Sequence, residues 1–170
     1  YLLYNEGLDP LHFASKRRNV EAMRHLINSG QFDDIDCETK KYNSAGELEE
    51  IQYTALHLVC LGTENPGKAV EAATILIEKG ADKDFKTSDD LTPLHRAILA
   101  SNAELVTYLL SAGARTDFFD EKYHDSFLHF AIKNASSRSV MKALIDKAPE
   151  LMDTLNYNNH YPIHAAAFYG

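Results

Sequence analysis

Thr92-Pro93-Leu94-His95-Arg96-Ala97 is the stretch that decides the fold, because the chain repeats it. Asp9-Pro10-Leu11-His12, Thr54-Ala55-Leu56-His57, Ser126-Phe127-Leu128-His129 and Tyr161-Pro162-Ile163-His164 are its other copies. Successive histidines stand 45, 38, 34 and 35 residues apart. A small residue lies two places after most of them (Ala14, Ala97, Ala131, Ala166), with Val59 in the second copy. A period in the mid-thirties, stretched in the early copies, predicts an array of stacked units and not one closed core.

One unit can be built from its residues. Pro93 suits the first turn of a helix, where its missing N–H would be unpaired anyway, and Thr92 before it is a good N-cap. A short first helix therefore runs from about Pro93 to Ala100. A second starts near Ala103, with Leu105, Val106, Leu109 and Leu110 at helical spacing. Gly113 stops it, as Gly30 and Gly80 stop the equivalent helices, because glycine takes the left-handed conformation at no steric cost. In the fourth unit Ala148-Pro149 replaces that glycine, and proline is a different hard stop.

These motifs resemble the ankyrin-repeat family, whose unit carries Thr-Pro-Leu-His-x-Ala. The resemblance covers nearly the whole chain. It implies an all-α solenoid of stacked helix-turn-helix units with hairpin fingers, in a single domain of residues 1–170. The units fall at about 7–38, 52–84, 87–119 and 121–153, with a partial unit at 156–170 and an insertion near 37–50. The family usually has a glycine five residues before each histidine, in the turn of the finger. Here Gly7, Gln52, Asp90, His124 and Asn159 stand there, and Asp, His and Asn are the types that best tolerate positive φ.

The period breaks twice. Gly30 to His57 spans 27 positions, against 15 from Gly80 to His95, so roughly a dozen extra residues lie around Cys37–Glu50. A turn-rich stretch, Gly62-Thr63-Glu64-Asn65-Pro66-Gly67, lengthens the second unit between its helices. Such insertions are tolerated because they project outward. The chain ends at Gly170 after one helix of the fifth unit, which leaves Ile163, Ala166 and Ala167 uncovered. It is therefore expected to be part of a longer protein, with Tyr1-Leu2-Leu3-Tyr4 belonging to a preceding element.

Composition narrows the function. There are 25 acidic and 17 basic residues, a net charge of −8 and 45% hydrophobic residues. That is enough apolar content for a packed core, while the charge argues against nucleic acid as a partner. No run approaches the ~18 apolar residues of a membrane span, so no membrane insertion is expected. Cys37 and Cys60 have no short-spaced partners, which argues against a disulfide framework or a zinc site and for a reducing intracellular setting, cytoplasmic or nuclear.

The resemblance gives His12, His57, His95, His129 and His164 a structural role, bonding backbone and turns between units. No metalloprotease, Cys-x-x-Cys, nucleophile-elbow or phosphate-loop pattern is present. The pairs Asp33-Asp34 and Asp89-Asp90 read as water-facing turn residues. The expectation is a non-enzyme with no cofactor, no metal and no small-molecule substrate.

What remains is binding of a protein or peptide on the groove and finger tips. Groove-facing helix positions follow each histidine by four and five residues: Lys16-Arg17, Leu61-Gly62, Leu99-Ala100, Lys133-Asn134 and Phe168-Tyr169. The finger Phe118-Phe119-Asp120-Glu121-Lys122-Tyr123-His124 is the sharpest candidate, since Phe119 and Tyr123 among acids on a projecting turn look like an interface anchor. Phe118 is better read as packing inward. Phe85, Ser88 and Asp89 on the preceding finger and Tyr157 on the following one extend an aromatic-dotted rim. Lys16-Arg17-Arg18 is the one basic cluster and suits an acidic or phosphorylated peptide. The family's range leaves two roles open: an interaction scaffold or regulator, or a regulatory or assembly domain of a larger channel, kinase or other enzyme.

Overall fold

The computed structural model describes residues 8–30, 34–39, 52–62 and 65–169. Tyr1-Leu2-Leu3-Tyr4, Gly7, most of the insertion, Thr63-Glu64 and Gly170 lie outside them. The described residues are helices joined by turns. None of these helices is long and apolar enough to cross a membrane.

The chain divides into two bodies, Tyr1–Pro93 and Leu94–Gly170. In the first, α1 (Pro10–Lys16) pairs with α2 (Val20–Asn28), and α3 (Ala55–Cys60) with α4 (Pro66–Glu78). First helix packs on first helix and second on second: α1 on α3, α2 on α4. In the second body α5 (Pro93–Leu99) leads to α6 (Ala103–Ser111). Then come α7 (Phe127–Lys133), α8 (Arg138–Lys147), a 3-10 turn (Pro149–Asp153) and α9 (Pro162–Tyr169). There α6 packs on α8 and α7 on α9.

The repeated tetrapeptide explains the first helices. Proline at the first turn costs no hydrogen bond, and the cap residue satisfies an otherwise orphaned N–H. Asp9 Oδ1 accepts from His12 N at 2.8 Å, and Thr54 Oγ1 from His57 N at 3.5 Å. Second helices are capped by Asn19, Asn102 and Ser137. The small residue after the histidine is buried in Ala14, Val59, Ala97 and Ala131, which allows first helices to pack closely. Leu11, Leu56, Met23 and Leu76 fill the core of the first body, and Leu94, Leu105, Phe127 and Leu144 that of the second.

Backbone geometry follows the sequence at the turns. Asp90, His124 and Asn159 have φ of 64°, 57° and 55°, and Gly30, Gly80 and Gly113 have 66°, 94° and 81°. After Ala148 the chain enters the 3-10 turn at Pro149. A second set of left-handed residues was not legible: Arg18, Ser101 and Ala135, each six after a histidine, have φ of 50°, 52° and 49°. They form the bend between first and second helix.

Candidate functional site

Two of the repeat histidines, His57 and His129, bond in the same way. His57 Nε2 lies 3.2 Å from Leu91 O and His129 Nε2 lies 3.0 Å from His160 O, each reaching the turn of the following repeat. Their Nδ1 atoms meet the cap hydroxyls of Thr54 at 2.8 Å and Ser126 at 2.9 Å. Burial holds the His129 imidazole below its ordinary value despite the His160 carbonyl, so the neutral ring serves as one donor and one acceptor. The His95 ring packs 4.2 Å from Phe127 and 5.0 Å from Phe130.

The richest exposed surface lies in the second body, on the hairpin at 118–124 and the turn at 156–159. Asp120 closes the hairpin. Its Oδ1 accepts from Tyr123 N at 2.5 Å and Asp125 N at 3.4 Å, while its backbone carbonyl accepts from His124 N at 2.9 Å. One oxygen of the Asp120 carboxylate is thus engaged in closing the finger. Tyr157 N donates to Tyr123 O at 2.9 Å and joins the two turns. The imidazole of His124 lies between Phe119, at 4.2 Å and 12°, and Tyr157, at 4.9 Å and 14°. Three near-parallel rings therefore span two fingers, and Tyr157 at the end of the stack is 66% exposed.

Tyr123 stands beside this stack, 39% exposed, with Lys133 Nζ 4.4 Å and Lys122 Nζ 4.8 Å from its ring centre. Lys133 also pairs with the buried Asp125, which accepts from Asn156 Nδ2 at 2.9 Å. Lys133 is accordingly a positioned residue and not a loose groove cation. Glu121 is fully at the surface and Leu99 is exposed. Phe118 lies under the Arg115 guanidinium at 4.8 Å.

In the first body Phe85 is half-buried with its ring edge-on to His57 at 6.2 Å. Asp89 accepts from Thr87 Oγ1 at 2.5 Å, so its carboxylate tightens the turn; Ser88 is exposed beside it. Lys16 and Arg17 are exposed, with Arg17 5.3 Å from the Phe13 ring.

Arg18 corrects the expectation of one basic surface cluster. It is 6% exposed. Its Nε donates to Val59 O at 3.1 Å, and a terminal nitrogen donates to the same carbonyl at 3.0 Å and also to Gly62 O. A Cβ at Gly62 would come within 2.9 Å of that guanidinium nitrogen, so the glycine makes the room. Gly62, expected to face the groove, receives Arg18 instead. No nucleophile is poised at either cysteine: burial pushes the Cys60 thiol up to about 12, and burial with the nearby Asp9 carboxylate pushes Cys37 up to about 11.

Known proteins align with this architecture. Family models described as ankyrin repeats in three copies match residues 38–120 and 56–154, and a single ankyrin-repeat model matches 6–40. The human ASB11 ankyrin repeat domain superposes with a TM-score of 0.68 at 26% identity, covering 95% of this chain and 64% of that one. The phosphocholine transferase AnkX of Legionella pneumophila is 28% identical over 95% of the chain, but the match takes in only 18% of that protein. NF-kappa-B inhibitor alpha of Sus scrofa is 25% identical over 98% of the chain and 52% of its own length. The chain thus spans about half or less of these two curated relatives. All of them share a fold whose general use is protein–protein interaction. The family models run across most of the chain, and with the helix pairs and their shared histidine bonds they make this protein a member of the ankyrin-repeat family.

Proposed function

We propose that this domain is a non-catalytic interaction module that docks a partner protein or peptide on its finger tips, with Tyr123, Phe119 and Tyr157 as anchors. The observation that carries this is the Phe119–His124–Tyr157 stack, with Tyr123 exposed next to it. Exposed aromatic side chains supply most of the energy in protein interfaces. Rings already held by stacking lose little conformational freedom when a partner covers them. Glu121 supplies an acidic rim, and Leu99 adds apolar surface in the same body. Lys16 and Arg17, with Phe85, Ser88 and Asp89, are secondary contact candidates in the first body. They favour a partner with acidic side chains near one end of its binding segment.

A second reading makes the domain the regulatory or assembly part of a larger protein. It is favoured by the transferase match, in which the chain covers only 18% of the longer protein.

The test is affinity capture from cell lysate with the wild-type chain and a Phe119→Ala/Tyr123→Ala variant of matched thermal stability. A partner held by the wild type and lost by the variant is expected. Equal capture by both would remove the aromatic finger as the interface.

A further inference from the structure

We propose that Asp9, His12 and Cys37 form a binding site for a divalent metal ion of the zinc class. The carboxylate, ring-nitrogen and sulfur atoms of these three residues all lie within 4.8 Å of one another. His12 Nδ1 is 3.1 Å from Asp9 Oδ1, and Cys37 Sγ is 3.5 Å from Asp9 Oδ2. Tetrahedral zinc bonds of about 2.0–2.3 Å put donor atoms about 3.3–3.6 Å apart, so closing the sulfur toward the ring would complete three ligands and leave one position for water.

The independent sign is an orphaned atom. His12 is 2% exposed, and its Nδ1 has no hydrogen-bond partner, although it faces the Asp9 carboxylate off the line of a hydrogen bond. Its other nitrogen, Nε2, lies 2.9 Å from Cys37 O, an atom that can only accept, so Nε2 carries the proton. Nδ1 thus faces the Asp9 carboxylate across 3.1 Å, a pair of atoms that a cation would bridge. At His57 and His129 the same nitrogen meets a hydroxyl, which can donate. Asp9 replaces that hydroxyl in the first repeat and has no proton to give.

The surroundings are those of a metal ligand set. A ligating histidine usually donates its second nitrogen to a backbone carbonyl, as Nε2 does to Cys37, and a ligating carboxylate is itself hydrogen-bonded, as Asp9 is by His12 N. Imidazole, thiolate and carboxylate together suit zinc, and one dication neutralises the two anionic ligands. Asp9 and Cys37 are partly exposed, which leaves an entry path. Binding ionises the Cys37 thiol and releases its proton to solvent.

The competing occupant is a proton, giving imidazolium, and Cys37 separates the two. Co2+ added to the full chain is expected to bind one per chain, with a thiolate-to-cobalt charge-transfer band in the near ultraviolet that Zn2+ abolishes. Cys37→Ser should lose the band and weaken Zn2+ binding by at least about tenfold, the lower end of what loss of an outer-shell partner costs. Asp9→Thr, which restores the hydroxyl of the other repeats, should lose the metal while staying folded. A folded wild type without the band, or equal metal uptake by wild type and both variants, would overturn the proposal.

Discussion

Arg18 does at the residue scale what a hydrophobic contact cannot. Its planar fork bridges the Val59 and Gly62 carbonyls, so the end of α3 is held to the bend after α1. A charged donor to buried carbonyls is worth more than a neutral one, because losing it strands acceptors away from water. Arg18→Ala is expected to lower unfolding stability by about 1.5–3 kcal/mol, and Arg18→Lys to restore only part of it, since an ammonium cannot match the fork. Urea unfolding of the three proteins checks this; an unchanged midpoint in Arg18→Ala would mean that water replaces the guanidinium at no cost. Lys16-Arg17-Arg18 reads in sequence as one solvated cluster. Only the left-handed φ at Arg18, together with a glycine 44 residues later, turns its third member inward.

At the scale of elements, the repeat is two helices, a bend and a finger, and the two turns differ in how plainly they are written. The finger turns were legible, because Asp90, His124 and Asn159 are types that accept positive φ. The bend was not, because Ala135 and Ser101 carry no such preference. Ala135 N still bonds Ile132 O at 3.0 Å, so the conformation is imposed by the helices on either side. Left-handed backbone costs a non-glycine residue about 1–2 kcal/mol, and glycine costs about 0.5–1 kcal/mol more entropy on folding. Ala135→Gly is therefore expected to stabilise the chain by about 0.5–1 kcal/mol, seen as a higher melting temperature. A lower one would mean that the bend carries no strain.

For the whole molecule, the repeat period and the helix pairs were readable from five tetrapeptides, and the family resemblance implied the histidine bonds. The aromatic residues of the finger were visible in the sequence, but their stacking on His124 was not. What sequence could not supply was which charged and metal-ligating side chains meet. Lys133 is tied to Asp125 eight residues earlier, and Asp9, His12 and Cys37 converge across 28 positions with no short spacing to signal it. These meetings depend on how a finger lies against a first helix, and no local pattern encodes that. The exposed Tyr157 and Tyr123 are where a partner is proposed to dock. Photo-crosslinking tests this most directly, with p-benzoylphenylalanine in place of Tyr157 in one protein and of Arg138, on α8, in another. Crosslinks to a partner from position 157 and none from 138 are the predicted result. Crosslinks from 138 alone would contradict it.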